Sequence, residues 1–275
     1  MDAVRYWGML ERPFEPTLNG RFYFPSSAHA EALARLQLLA EDGSLGFGLL
    51  SGEIGCGKTF TAYVFASTLD PRRFSAVFIE NANLGFTCIL DQVNCALGDR
   101  RPNGSVPTRY ELLMEFRHLL SARVLARRAH LVIVLDEAQQ LSREDLSELR
   151  CLTNTWGPGR GALSVVLIGQ PELRAHVKNM PAVDTRVGLR YHLGLLDPTD
   201  VAEYVTHRCR SAGHATGNIF TDEALRVLAA ASHGMPREIN RIAKLSMLHA
   251  AGRGVKIIAA DEVAAVADDE RNEAA

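Results

Sequence analysis

The sequence predicts an α/β fold built on buried parallel strands, followed by a smaller all-helical segment, and three observations carry this. The stretch Gly52-Glu53-Ile54-Gly55-Cys56-Gly57-Lys58-Thr59 reads G-x-x-x-x-G-K-T, with a strand-like run (Leu45–Leu50) before it and a helical composition (Phe60–Leu69) after it. The aliphatic run Leu131–Leu135 has the look of a strand buried on both faces, and it ends in Asp136-Glu137. From Asp197 onward the periodicity is helical only.

In the first stretch, glycines let successive backbone N–H groups turn inward around phosphates at a helix start, where the helix dipole also favours negative charge. Lys58 sets a point charge on the outer phosphates, and the Thr59 hydroxyl is a hard oxygen ligand suited to Mg²⁺. Asp136, at the carboxyl end of its strand, is placed to reach the same cation. Glu137 beside it is the candidate to orient and polarise an attacking water.

The chain has 275 residues, enough for one large domain or a domain with a small lid. Hydrophobic content of 47% and charge of 23% describe an ordinary globular protein. Residues 261–275 carry a net −5 of the overall −2, which leaves the rest at +3. That is mildly basic, too little to establish nucleic-acid binding by itself. The five cysteines show no CxxC pair and no metal-ligand spacing, so they are read as reduced. The N-terminus lacks a signal peptide's apolar core, and no apolar run nears the ~20 residues that span a bilayer. The expectation is a soluble, cytoplasmic protein with no membrane span.

In chain order, residues 1–25 form an aromatic, proline-rich arm (Tyr6, Trp7, Phe14, Phe22, Tyr23, Phe24) with too much apolar surface for a disordered tail. It packs over the core, covers a flat aromatic ligand such as adenine, or does both. Ser26-Ser27 caps a helix over about 28–40. After the loop, Phe74–Glu80 reads as a second buried strand, ending in the polar Glu80-Asn81-Ala82-Asn83. Thr87–Leu97 is helical, 98–108 a linker, and Tyr110–Arg128 a helix with a Leu112, Leu113, Phe116, Leu119, Leu120 stripe. Ser142 opens a helix to about Leu152. The glycine-rich loop 155–161 is a plain connection, or a loop that touches a nucleic-acid backbone in a channel. Leu163–Ile168 is a further buried strand, and Gln170 at its tip is placed to sense a γ-phosphate or hold water. Arg186 and Arg190 flank a short strand, Leu189–Leu193. Each is a candidate arginine finger toward a neighbouring subunit, Arg186 first, or an ordinary surface arginine. Four helices follow (199–212, 222–231, 236–251, 260–267). Arg237, at the start of the third, is placed to bind the β/γ-phosphates and report nucleotide state to the lid.

These residues resemble the AAA+ ATPases, and more narrowly the ExeA/GspA group with the related TniB- and TnsC-type transposon ATPases. The likeness is carried by SGEIGCGKTFTA, VIVLDEAQQLS, LRCLTN, VVLIGQPELRAHV, LRYHLGLLDPTDVAEYVTHRC and GMPREINRIAKLSM. It covers roughly residues 5–265. It implies a five-stranded parallel sheet in the order 5-1-4-3-2, a helical lid, ATP and Mg²⁺ as ligands, and a ring or filament of hexamer-like size. It implies nucleotide contacts from Gly52 through Phe60 (Glu53, Ile54, Gly55, Cys56 and Gly57 included), the metal on Thr59 and Asp136, and water activation by Glu137. Gln170 takes the first sensor position, Arg237 the second, and Arg186 the finger. The expected organisation is an arm (1–25), an α/β domain (26–196), a lid (197–268) and an acidic tail (269–275). The group's secretion members carry a membrane span and a peptidoglycan-binding module; the chain as given ends without them. The expectation therefore leans to a soluble ATPase on double-stranded DNA that regulates transposition with a transposase or integrase. The alternative is a secretion assembly ATPase with a separate membrane partner.

Overall fold

The computed structural model describes residues 3–98, 107–153 and 161–273. The linker expected over 98–108 and the glycine-rich loop at 155–161 lie, apart from their end residues, outside the described residues. Two compact units are present. The α/β unit comprises Ala30–Glu53 and Lys58–Leu193; the helical unit comprises the residues up to His29, Ile54–Gly57 and those from Gly194 on. The N-terminal arm thus groups with the C-terminal helices, and the middle of the glycine-rich loop, Ile54–Gly57, groups with them too.

A single helical turn, α1 (Ala3–Tyr6), precedes α2 (Ser27–Asp42), which leads into β1 (Phe47–Gly52) and α3 (Lys58–Thr68). Then come β2 (Phe74–Ile79), α4 (Gly85–Gly98), α5 (Arg109–Leu119), β3 (His130–Leu135), α6 (Arg143–Thr153) and β4 (Leu163–Gly169). Two short helices, α7 (Glu172–Lys178) and α8 (Pro181–Asp184), lead to β5 (Val187–Leu193). The five strands pair in parallel in the order β2-β3-β4-β1-β5, the order the sequence resemblance implies.

The sheet's centre and edges follow different residue patterns. β1 and β4 are buried at every residue, and β3 at all but His130, because helices cover both faces. Leu131, Ile133, Leu135, Val165 and Leu167 join one core with Phe86, Ile89 and Val93 of α4, Phe116 of α5 and Leu146 of α6. Val132, Val134, Val166 and Ile168 point to the other face and are equally buried. β2 is not the buried strand expected. As an edge strand it leaves Ala76 exposed and Ser75 and Phe78 half-exposed. The first strand starts at Phe47 rather than Leu45, where its ladder with Val165 begins.

The helix expected over 110–128 is present but changes type after Leu119. A wide five-residue turn, Leu120–Val124, keeps Leu120 and Val124 in the core, and a 3₁₀ turn then ends at Arg128 in the left-handed conformation (φ 54°). α6 starts as foreseen: Ser142 Oγ accepts the Asp145 N–H at 3.0 Å, and the Asp145 carboxylate accepts the Ser142 N–H at 3.0 Å.

In the helical unit, α9 (Pro198–Ser211), α10 (Asp222–Ser232), α11 (Pro236–Gly252) and α12 (Ala260–Glu273) follow one another. α12 continues through Glu273, so most of the segment expected as a tail from 269 is helical. The arm is part of this unit's core. The Trp7 indole N–H donates to the Met247 carbonyl at 3.1 Å, Phe14 meets Phe220 edge-on, and the buried Arg208 guanidinium donates to Pro13 O (2.5 Å) and Glu15 O (2.7 Å) while lying over Phe22. Trp7, Phe14 and Phe22 serve this packing.

Candidate functional site

In the α/β unit, β1 delivers the chain to Gly52 and α3 begins at Lys58. The buried Lys58 ammonium donates to the carbonyls of Gly52 and Glu53, both at 2.8 Å, which fixes its stem along the loop. Thr59, one residue on, donates its hydroxyl to Asp136 Oδ2 at 2.5 Å. Asp136 sits just past β3, held by its N–H on Ile79 O (2.9 Å) and its carbonyl on the Ala82 N–H (3.2 Å). The residue is 4% exposed. Burial raises its carboxyl above the ordinary aspartate range, against the lowering pull of the Thr59 hydroxyl and the Glu137 N–H. Two hard oxygens thus converge, one on a carboxylate whose charge the interior disfavours. That donor set fits Mg²⁺, which takes few protein oxygens and fills its shell with water and phosphate.

Glu137 has left-handed backbone angles (φ 54°, ψ 34°), uncommon for a residue with a side chain and worth about 1–2 kcal/mol of strain. Its N–H bonds Asp136 Oδ1 at 2.9 Å. Its carboxylate accepts the Gln139 side-chain amide at 2.6 Å. Gln139 Oε1 in turn accepts the backbone N–H of Gln170 at 3.3 Å. Gly169 makes room for this: a Cβ there would lie 2.5 Å from Gln139 Oε1 and 2.9 Å from Leu173 Cδ2. The tips of β3 and β4 are therefore joined through one glutamine.

The helical unit contains the middle of the loop. Gly55 (φ 86°) and Gly57 (φ 102°) take backbone angles that favour glycine. The Arg237 N–H, in the first turn of α11, reaches Gly55 O at 3.3 Å, and the Arg237 side chain runs beside Gly55. His29 is buried. Its Nε2 lies 3.1 Å from Cys56 O and its Nδ1 2.7 Å from Ser26 Oγ, so an Nε2–H tautomer that donates to the loop and accepts from the serine satisfies both. Burial lowers its pKa, which favours the neutral form.

Within the α/β unit the structure links Thr59, Asp136 and Glu137 directly and Gln170 through Gln139, while Lys58, next to Thr59 in the chain, bonds the Gly52 and Glu53 carbonyls. Phe60 is half-buried in the first turn of α3, and Cys56 is fully buried in the loop. The two arginines part company. Arg190 does not flank the last strand but lies within it: β5 runs Val187–Leu193. Its guanidinium is engaged by the Asp184 carboxylate (2.7 Å) and the Asp184 and Val187 carbonyls. Arg186 precedes β5 and is exposed. Sequence reasoning missed Gln139 and His29. Gln139 stands in the quoted VIVLDEAQQLS, but nothing separates it there from Gln140. His29 sits in a helix start that reads only as a cap.

The family model described as AAA domain matches residues 42–177. General secretion pathway protein A of Aeromonas hydrophila is 34% identical over 279 residues, covering 97% of this chain and 49% of that protein. The chain spans about half the length of that curated relative. Among solved structures, the ORC2 protein of Aeropyrum pernix aligns with a TM-score of 0.71 at 18% identity (94% of this chain, 71% of that one). Cdc6p of Pyrobaculum aerophilum aligns at 0.65 and 21% (90% and 67%). The RuvB Holliday junction branch migration motor of Thermotoga maritima aligns at 0.56 and 17% (93% and 72%). Among the described residues no helix is long and apolar enough to cross a membrane. The sheet order, the glycine-rich loop leading into α3 and the solved structures agree on a P-loop NTPase fold of the AAA+ kind, and residues 42–177 of it match the AAA domain model.

Proposed function

We propose that this chain binds ATP with Mg²⁺ and hydrolyses it to ADP and phosphate, as the motor module of a secretion-type assembly ATPase working with a membrane partner. The observation that carries the chemistry is the Thr59–Asp136 contact with the Glu137 carboxylate beside it, tethered at the tip of β4. Lys58 neutralises charge on the outer phosphates, and the loop N–H groups wrap them. The cation, on Thr59 and Asp136, supplies charge neutralisation to the phosphates. Glu137 orients a water and takes its proton as the water oxygen bonds to the γ-phosphorus and the bond to the bridging oxygen of ADP breaks. Gln170 acts as the first sensor and Arg237, already beside Gly55, as the second. Arg186 is the finger given to a neighbouring copy in a ring or filament, since Arg190 is taken up by Asp184. The arm, the α/β domain and the lid are the working parts, on the cytoplasmic side.

What supports the secretion reading over the transposon one is the 34% identity to a secretion protein along nearly the whole chain. The DNA-directed reading keeps only the shared fold behind it. One experiment separates them: the ATPase rate with and without duplex DNA, beside filter binding of that DNA in ATP, ADP or no nucleotide. Turnover indifferent to DNA, with no retention of DNA, is the expected result. ATP-dependent retention with a steep salt slope would replace the secretion reading with the DNA-directed one. Absence of turnover in every condition would overturn the hydrolase itself.

A further inference from the structure

We propose that Gln139 is the positioning residue for Glu137: it holds the carboxylate from below and ties its orientation to the tip of β4, where Gln170 stands. The inference rests on the reading of Glu137 as the group that orients water. Three observations meet at this side chain. Its amide N–H donates to Glu137 Oε2 at 2.6 Å. Its carbonyl oxygen accepts the Gln170 N–H at 3.3 Å. The residue at 169 is a glycine whose missing Cβ would sit 2.5 Å from that same oxygen. The orientation of the amide follows from its partners, because a carboxylate accepts only and a backbone N–H donates only. A primary amide is the group that gives one donor and one acceptor in this spacing.

Glu137 needs such a tether. Its left-handed backbone sends the side chain out of the run of β3, and a glutamate has three rotatable bonds to hold still. A general base that wanders loses the near-attack geometry in which its advantage lies. Asn81, past β2, accepts the Asn83 N–H at 3.0 Å through its side-chain oxygen, so the amide that meets the Glu137 carboxylate is that of Gln139. The link through Gln139 has a second effect. A shift of the β4 tip, where Gln170 would meet a terminal phosphate, is passed to the base through one side chain and two hydrogen bonds. Gln139 touches neither nucleotide nor water in this account and acts only through Glu137.

The test uses the whole chain and two variants. Gln139→Met keeps the length and removes both polar atoms. Gln139→Glu keeps an acceptor for the Gln170 N–H but sets a second carboxylate against Glu137. Steady-state phosphate release gives kcat, and a non-hydrolysable ATP analogue gives Kd. The expected result is a kcat reduced roughly tenfold or more in both variants, with Kd within about twofold of wild type. Adding Gln139→Met to Glu137→Gln should cost little beyond Glu137→Gln alone, since both changes act on one carboxylate. An unchanged or raised kcat, a Kd that weakens in step with kcat, or independent losses in the double variant would each overturn the proposal. Glu137→Gln alone keeps the two failures apart. If it turns over like wild type, the reading of Glu137 falls. If it is silent while both Gln139 variants run at the wild-type rate, that reading stands and the role of Gln139 falls. Should Gln139→Met fail to fold, as circular dichroism will read, the isosteric Gln139→Glu alone decides.

Discussion

Lys58 and Gln139 both fix a loop through side-chain hydrogen bonds, yet they draw on different distances along the chain. The Lys58 ammonium returns to carbonyls five and six residues back. On the acidic side, Thr59 meets a carboxylate 77 residues away, and Gln139 spans 31 residues to Gln170. The phosphate side is written in one short stretch; the carboxylate side exists only once β3 and β4 lie next to each other in the sheet. The two sides should also fail differently, the first through nucleotide affinity and the second through turnover.

The sharpest contrast comes from Glu137→Gln, expected to lower kcat by about a hundredfold to a thousandfold while ATP still binds, as rapid-quench turnover beside equilibrium binding will read. On the other side, Lys58→Ala should weaken ATP affinity by roughly tenfold to a hundredfold, measured by titration calorimetry, and wild-type affinity there would break the comparison. Gly169→Ala places a methyl against Gln139 Oε1 and Leu173, so it should cost about 1–3 kcal/mol of stability in urea unfolding and lower kcat with little change in Kd.

A subtler test lies at Asp136. Burial raises its folded-state pKa, so its contribution to stability is fully present below the ordinary aspartate range and is lost as pH rises through the raised value. At neutral pH the free chain therefore carries a cost that Asp136→Asn removes. That variant should melt higher at neutral pH, with the gap closing as pH falls into the ordinary aspartate range, and it is expected not to turn over ATP. Thr59 still has a partner in the amide, because a hydroxyl also accepts. The smallest effect is expected at Cys56→Ala, with kcat and Kd within about threefold of wild type. Its side chain is buried, and its carbonyl, which every residue has, makes the contact with His29.

The fold was largely legible in the sequence because buried parallel strands announce themselves as aliphatic runs, and Leu131–Leu135 and Leu163–Ile168 do so plainly. Phe74–Ile79 looks just as apolar, but a strand's place at the edge depends on how many neighbours it finds, which no local pattern records. The widening of the helix after Leu119 was equally hidden. No glycine or proline marks it, and the wide turn keeps the apolar stripe in the core, so the periodicity barely notices. At the site, Lys58, Thr59 and the Asp136-Glu137 pair were visible as residue types in the right order. Gln139 and Gln140 are chemically the same, and only the packing of β3 against β4, with glycine at 169, gives one of them a task.

The left-handed backbone at Glu137 has a bearing on how this protein tolerates sequence change. Glycine and asparagine populate that conformation at low cost, whereas glutamate and glutamine do not. A library randomised at this codon and sorted for folded protein alone would therefore enrich Gly and Asn over the resident residue. The same library sorted for phosphate release would return Glu. Opposite winners under the two sorts would mark position 137 as one where the chain gives up thermodynamic comfort to keep a carboxylate in place.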